Sequence, residues 1–226
     1  MNKNMYSDSK KQWNCFVGCK FDCVYCIKSF KAQMKRQKHN CIDCYNYEPH
    51  FHWDRLYQKL PLTYGDEFIW VGSSGDMSFC EKEWMLKILK RISEMPERTF
   101  FFQTKNPSWF NQYSFPENCI LGITLESNRD YREISKAPLC RQRAYVFAEV
   151  NHPRKSVTIE PVLKFDLYTF MLMIIGISPE RVKIGYDTKK CKLPEPSLSK
   201  VKKFIVELEK ITNVKEKLIR EAWDKS

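Results

Sequence analysis

Short apolar segments alternate with helix-like segments along most of this 226-residue chain. Compact apolar runs bounded by turn residues predict buried strands, and apolar positions three or four residues apart predict helices. The six predicted strands are residues 11–17, 67–71, 99–103, 119–124, 156–159 and 181–185. Buried strands separated by helices pair in parallel, because each helix carries the chain back across the sheet. The fold class predicted is therefore α/β, a partial (βα)6 TIM-like barrel with parallel strands.

The chain is long enough for one sizeable hydrophobic core and shows no repeat, low-complexity tract or clear linker. We therefore expect a single domain over residues 1–226. Its core would span about residues 11–210, and a C-terminal helical extension would occupy 211–226. The predicted helices are residues 27–39, 53–60, 81–95, 139–150, 163–175, 197–209 and a last one from about Val214 to Trp223.

Three cysteines, Cys19, Cys23 and Cys26, lie within eight residues directly after the first predicted strand. Thiolates are soft ligands that hold iron–sulfur clusters, zinc or copper(I). A four-iron cluster with only three thiolates keeps one iron open, and catalytic metals bind substrates or cofactors at open positions. The alternative is that these cysteines are packed as small apolar residues. Their crowding on a loop, rather than on one apolar face, favours metal binding.

A second pair, Cys41 and Cys44, is followed by His50 and His52, and this combination has zinc-ligand chemistry. We therefore regard Cys41 and Cys44 as a tentative auxiliary site for zinc or a second iron–sulfur cluster. A reducible thiol pair is a further alternative. For at least one of the two histidines we favour an exposed turn ahead of the next predicted helix.

A different zinc set is also open, because Cys23-x2-Cys26 and Cys41-x2-Cys44 are fourteen residues apart. That separation is close to the spacing of four-cysteine zinc sites. In this alternative the chain is a zinc-binding nucleic-acid-binding module without redox chemistry, and Cys19 is spare.

The chain carries 38 lysines and arginines against 27 acidic residues, a formal net charge of +11. A basic surface favours polyanions, so a nucleic acid or nucleotide is a candidate partner, although such a surface can also be merely solvated. No apolar run is long enough to span a bilayer, and residues 1–12 lack the apolar core of an export signal. We therefore expect a cytoplasmic protein without a membrane partner, whose ten cysteines serve metal binding or packing rather than disulfides.

Polar residues follow most of the predicted strands at their carboxyl ends, where parallel barrels place their chemistry. Loops are polar in general, so this pattern supports a site at that edge without proving it. The residues are Ser73 to Asp76, Thr104, Lys105, Glu126, Ser127, Glu160 and Asp187.

The triplet Cys19-x3-Cys23-x2-Cys26, with Tyr25 before its last cysteine and a βα pattern behind it, resembles the radical S-adenosylmethionine (SAM) superfamily. Further stretches are similar to the phage Gp37/Gp68 family of radical-SAM-like proteins (DUF5131), and spore photoproduct lyase is a more distant likeness. These stretches are Trp13-Asn14, residues 68–73 with Gly75-Asp76, and residues 102–107, 116–126 and 159–161.

The resemblance implies a radical SAM enzyme whose [4Fe–4S] cluster is held by Cys19, Cys23 and Cys26. SAM would bind the fourth iron and be cleaved to a 5′-deoxyadenosyl radical, with electrons from a donor protein. The substrate would be a nucleic acid or nucleotide, or alternatively a peptide or partner protein. The resemblance further implies that SAM or substrate is contacted by Ser73, Ser74, Asp76, Thr104, Lys105, Thr124, Glu126 and Glu160. The run Ser-Ser-Gly-Asp departs here from the Gly-Gly-Glu common in the superfamily.

Overall fold

The computed structural model describes residues 6–223 and contains one large parallel sheet with helices packed on it. The strands are β1 (Ser9–Trp13), β2 (Phe16–Val17), β3 (His50–Phe51), β4 (Phe68–Val71), β5 (Phe100–Thr104), β6 (Cys119–Thr124), β7 (Lys155–Ile159), β8 (Arg181–Gly185) and β9 (Asn213–Lys217). The α-helices are α1 (Val24–Cys26), α2 (Ala32–Met34), α3 (Ile42–Asn46), α4 (Trp53–Leu56), α5 (Lys82–Ser93), α6 (Cys140–Ala148), α7 (Leu167–Ile177) and α8 (Leu198–Glu209). A π-helical segment, Ile27–Lys31, joins α1 to α2, and short 3-10 helices occupy Lys35–Gln37, Met77–Phe79 and Pro107–Gln112.

Seven strands form the main sheet in the order β1-β4-β5-β6-β7-β8-β9, and every neighbouring pair is parallel. The sheet curls into a half-barrel, which confirms the predicted partial TIM-like α/β fold. The crossover between β1 and β4 carries the cysteine-rich segment, together with a small antiparallel pair formed by β2 and β3. The carboxyl ends of the large sheet and this pair therefore meet at one edge.

The predicted C-terminal helix from Val214 is wrong, because Asn213–Lys217 form strand β9 against β8. β8 would otherwise present an unpaired edge, and backbone pairing satisfies that edge. Side chains on the strand add ion pairs, with the Lys215 ammonium 2.8 Å from an Asp8 oxygen. Tertiary pairing thus overrides a local helix preference. Residues 224–226 of the predicted extension lie outside the described residues.

The observed bounds of several other strands and helices differ from the predicted ones. The first predicted strand, 11–17, is divided into β1 and β2. Between them the Asn14 side chain accepts hydrogen bonds from the Ser73 hydroxyl and the Ser74 N–H. The predicted helix 53–60 ends at Leu56, and the helix predicted from residue 163 begins at Leu167.

Alternate residues along each strand face opposite sides of the sheet. Phe100 and Phe102 pack into the main core with the helices, whereas Phe101 faces the concave side. Tyr6 fills part of that side, with its ring 4.8 Å from Trp70 and 5.0 Å from Phe101 between centroids. This aromatic cluster fills the concave side of the sheet next to the first halves of the strands. A site can therefore form at the polar carboxyl ends of the strands. No helix within residues 6–223 combines the length and apolarity needed to cross a bilayer.

Candidate functional site

The three clustered cysteines lie on the segment that follows β2, with Cys23 buried and Cys19 and Cys26 half-buried. Cys23 and Cys26 hydrogen-bond to each other, and the Cys23 sulfur lies 3.1 Å from the Ser135 hydroxyl. Burial and the charges of Cys26, Cys19 and Cys23 together raise the pKa of Tyr47 well above its usual value. All three thiols therefore lie within electrostatic range of one phenol.

Gly18 allows the chain to turn into this segment. Its φ is +103°, and a Cβ there would lie 2.1 Å from the Glu48 carbonyl oxygen, so a side chain would be blocked. Its N–H donates to the Ser74 carbonyl over 3.1 Å, and its own carbonyl accepts from the Asp76 N–H over 3.1 Å. The Cys19 N–H donates to the Tyr47 carbonyl over 3.3 Å. The segment is thus held between the end of β4 and the residues before β3.

The thiols differ in how readily they ionise. A hydrogen bond with Cys26 lowers the pKa of Cys23 to about 6 against the effect of burial, and the Lys105 ammonium acts in the same direction. The same hydrogen bond and burial raise the pKa of Cys26 well above its usual value. Burial also raises the pKa of Cys19. The Cys23–Cys26 pair therefore favours one thiolate, and a thiolate is the form that binds metals.

Asp76 connects the ends of β4 and β5. Its Oδ1 accepts from the Ser78 N–H over 3.0 Å and from the Thr104 hydroxyl over 2.6 Å. Its Oδ2 accepts from the Lys105 N–H over 2.8 Å. A carboxylate offers about four acceptor sites, so these three bonds leave Oδ2 with capacity for one more donor.

Glu126 is the centre of a buried ion network beside the cysteines. Its Oε2 accepts from Arg143 over 2.7 Å, and its Oε1 lies 3.4 Å from the Lys105 ammonium. The Tyr25 hydroxyl also donates to Oε1, and the Cys140 thiol donates to Oε2 over 3.3 Å. Burial alone would raise the pKa of Glu126, but Arg143 and Lys105 outweigh it and hold that pKa well below its usual range. Three hydrogen bonds and the ion pair with Lys105 therefore surround this carboxylate.

Glu160 follows β7, and its neighbours differ from those of Glu126. Its Oε1 accepts from the Lys217 ammonium over 2.7 Å, while its Oε2 is buried without a partner among the described residues. Burial raises the pKa of this carboxyl. Thr124 accepts from the Gln103 amide over 2.8 Å, and Gln103 in turn accepts from Tyr6 over 2.7 Å. Gln103 thus ties Thr124 to the Tyr6 cluster on the concave side, while the Glu160 carboxylate pairs with Lys217 of β9.

The structure thus brings part of the predicted set together around the thiols. Asp76 and Lys105 act on Cys19 electrostatically, and Lys105 and Glu126 act on Cys23. Ser73 and Ser74 instead hold Asn14, as described above. The SAM contacts assigned to these side chains, and to Thr104, Thr124 and Glu160, remain predictions.

Sequence reasoning assigned no role to Arg143, Tyr25 or Tyr47. A signal for Arg143 exists, because the buried positions of α6 are 140, 143, 144 and 147, which is helical spacing. An arginine inside such a stripe needs a buried carboxylate partner. Tyr47 carries no comparable signal, since it adopts its left-handed conformation (φ 62°) only as the end of α3.

Cys41, Cys44, His50 and His52 form a compact group in which all four ligand atoms lie within 4.8 Å of one another. Within residues 6–223, no other set of three or more such side chains is close enough to share one metal ion. The histidines are therefore not a simple exposed turn. The alternative set of Cys23 and Cys26 with the second pair is not assembled, because histidines complete the group instead.

Comparison with known proteins adds a fold similarity. No protein-family model and no curated protein matches this sequence. The structure is similar to SuiB of Streptococcus suis, whose crystal structure was determined bound to the precursor peptide SuiA, with a TM-score of 0.54 and 9% sequence identity. The similarity covers 93% of this chain and 48% of SuiB, so the chain spans about half of the SuiB length. At this identity the two proteins share a fold, and the resemblance to the phage family stays a prediction.

Proposed function

We propose that this chain is a radical SAM enzyme that binds a [4Fe–4S] cluster through Cys19, Cys23 and Cys26. The observation that carries the proposal is the position of these thiols, on the first crossover of a parallel half-barrel and beside its polar carboxyl edge. The fold similarity to SuiB supports the half-barrel on which the proposal rests, because it covers 93% of this chain.

The residues present fit such a group. All three thiols lie within electrostatic range of Tyr47, and thiolates are the ligands that iron–sulfur clusters take. The Lys105 ammonium acts on both Cys23 and Cys26, so it would balance the negative charge of their thiolates. When bound, the cluster and SAM supply one-electron cleavage of SAM and abstraction of a hydrogen atom from a substrate.

The protein's own residues would orient SAM and exclude water. The free capacity of Asp76 Oδ2 suits an ammonium donor, and the Lys105 ammonium suits a carboxylate, so these two side chains would hold the two ends of the methionine moiety. Glu126 is buried and already held by Arg143, Tyr25 and Lys105, so its role would be to position Lys105 and Tyr25 rather than to bind ribose. The buried orphan oxygen of Glu160 would accept a hydrogen bond from SAM or substrate.

The deciding experiment is anaerobic reconstitution with iron and sulfide, followed by reduction in the presence of SAM. We expect about four irons and four sulfides per chain and cleavage of SAM. Single variants Cys19→Ala, Cys23→Ala and Cys26→Ala would each lose SAM cleavage and most of the iron. Cys80→Ala, a half-buried cysteine outside the triplet, is the matched control and would keep both. Iron content that does not depend on the triplet would contradict the proposal.

For the substrate we propose a peptide or a partner protein, supported by the peptide-bound state of SuiB. A nucleic-acid substrate, which the net charge favours, is less well supported by the basic segment 28–38. Lys28 donates to the Lys190 carbonyl, Lys31 pairs with Asp22 and Lys35 donates to the Tyr45 carbonyl, so these ammonium groups have partners in the chain itself. Titration of labelled single-stranded RNA and DNA at low salt tests this. Tight binding with a steep salt dependence would favour nucleic acid instead.

A further inference from the structure

We propose that Cys41, Cys44, His50 and His52 bind one structural zinc ion, and that this ion holds the neighbouring Gly18–Cys19 turn in place. The inference stands independently of the proposed radical chemistry, because it concerns a second ligand set.

The four ligand atoms have nearly the spacing that a tetrahedral zinc ion requires. Zinc bonds of about 2.3 Å to sulfur and about 2.0 Å to nitrogen place the ligand atoms of a tetrahedron about 3.3–3.8 Å apart. The Cys41 and Cys44 sulfurs each lie 3.4 Å from His50 Nε2, and the Cys44 sulfur lies 3.1 Å from His52 Nε2. The two Nε2 atoms are 2.8 Å apart. The remaining pairs lie within 4.8 Å, so shifts of up to about 1 Å would bring all four atoms to the distances of a tetrahedral zinc ion.

The tautomer of His50 also supports a metal site. Its Nδ1 lies 2.7 Å from the Glu48 carbonyl oxygen, so Nδ1 carries the hydrogen and donates it. This leaves a lone pair on Nε2, which faces Nε2 of His52 and both sulfurs. Such a backbone partner is what orients metal-binding histidines. With both thiols ionised, these electron-rich atoms would repel each other unless a cation lay between them.

Local structure explains how residues so close in sequence converge. Cys41 is the N-cap of α3, and its sulfur accepts from the Cys44 N–H over 3.4 Å, which brings both thiols to one end of the helix. His50 and His52 are two residues apart on extended chain, so both rings lie on the same side. Phe51 points the opposite way and stacks on Trp84, with ring centroids 5.5 Å apart.

The donor set selects zinc over the other metals considered. Two thiolates and two imidazoles around one point suit tetrahedral zinc, and four protein ligands leave no open position, which is typical of a structural site. A two-iron cluster with paired histidines carries its cysteines and histidines on different irons. Cysteine–histidine distances of 3.1–3.4 Å are too short for that arrangement.

The proposed zinc site is directly connected to the first cysteine segment. Tyr47, which accepts from the Cys19 N–H, and Glu48, whose carbonyl lies against Gly18, both lie between ligands Cys44 and His50. The His52 N–H donates to the Cys15 carbonyl over 2.7 Å, and β3 pairs with β2. Fixing both ends of this short segment therefore fixes the wall against which the Gly18–Cys19 turn rests.

Metal analysis tests the zinc site. Protein produced in minimal medium with added zinc is expected to contain about one zinc per chain, and Cys44→Ser and His52→Ala to reduce it at least fivefold. Cys191→Ser, a half-buried cysteine outside the group, is the matched control and keeps the zinc. A Cys19→Ala/Cys23→Ala/Cys26→Ala triple variant also keeps it, which separates this proposal from the iron–sulfur proposal. Zinc that is lost with the triple variant but not with Cys44→Ser would overturn the assignment.

A measurement on the unaltered protein covers the case in which the variants fail to fold. Cobalt(II) added to metal-free, reduced protein is expected to give the intense visible bands of a tetrahedral site and a thiolate charge-transfer band. Weak octahedral bands, or a Cys41–Cys44 disulfide that forms in preference to metal binding, would overturn the proposal. The readout does not depend on enzymatic activity.

Hydrogen exchange tests the coupling to the turn. Removing zinc with a chelator is expected to raise amide exchange at residues 15–20 at least tenfold, while strand β6 stays protected as an internal control. Zinc loss without faster exchange in that segment would show that the ion does not hold the turn, and would overturn this part of the proposal.

Discussion

Arg143 donates to the Glu126 carboxylate across 2.7 Å at a place where both side chains are only 4% exposed. Arg143 also donates to the Thr124 carbonyl, so it joins α6 to the carboxyl end of β6. A buried ion pair is costly to break, because the remaining charge is left without a partner. Arg143 therefore fixes the position of the Glu126 carboxylate, which in turn positions Lys105 and Tyr25.

Replacing Arg143 by methionine should destabilise the fold by about 3–5 kcal/mol, because Glu126 would keep only Lys105 as a counter-charge. Urea unfolding at neutral pH measures the change. Arg141→Met is the matched control, since Arg141 lies on the same helix and pairs with Asp130 at the surface. It should cost less than about 1 kcal/mol. Equal effects of the two substitutions would contradict the role of the buried pair.

Replacing Gly18 by alanine should destabilise the cysteine segment, because the new Cβ would overlap the Glu48 carbonyl at a positive φ. We expect a loss of about 2–3 kcal/mol in the free energy of unfolding. The control is Gly176→Ala in α7, where a Cβ would meet nothing within 4 Å. That change should be neutral or stabilise by up to about 1 kcal/mol. A Gly18→Ala protein as stable as the parent would show that the turn can be rebuilt.

Replacing Lys105 by methionine should weaken SAM binding about 10- to 100-fold when the affinity is compared at equal iron content, because a charge-assisted bond contributes about 1.5–3 kcal/mol. Equilibrium dialysis with the reconstituted protein measures both quantities. Lys87→Met, on the exposed face of α5, serves as the control because its ammonium pairs with Glu83 at the surface. Unchanged SAM affinity in Lys105→Met would remove this side chain from the binding proposal.

Lys183 should make stability depend on pH in the alkaline range. Burial lowers its pKa to about 8, whereas the unfolded chain has the usual value of 10.5. Below pH 8 both states are protonated, and the folded state carries the cost of a buried charge. Between pH 8 and 10.5 the unfolded state binds more protons, so stability from this group rises with pH.

Lys183→Met removes that cost and should stabilise the protein at pH 7 by up to about 3 kcal/mol. The gain should diminish as the pH rises through the interval from about 8 to 10.5. Urea unfolding at pH 7 and pH 10 gives the difference directly, with the exposed Lys202→Met as control. A gain that grows with pH would reverse the expected sign and reject this account.

Much of the architecture could be predicted because it depends on neighbours in the chain. Apolar runs such as Phe68–Val71 and Cys119–Thr124 are buried on both faces, and this alone predicts parallel strands and a site at their carboxyl ends. The crowding of Cys19, Cys23 and Cys26 within one turn-rich segment likewise indicates metal chemistry without any knowledge of the fold.

The tertiary structure decided the contacts between distant residues. Strand β9 forms because the edge of β8 is available for pairing. The residues of this segment favour a helix locally, so the segment's own sequence does not predict that pairing. By spacing, Cys41 and Cys44 had two possible sets of partners. Only the pairing of β2 with β3 brings His50 and His52 to them and leaves Cys23 and Cys26 with the first set. Sequence spacing reports which ligands are available, whereas packing in three dimensions decides which of them converge on one point.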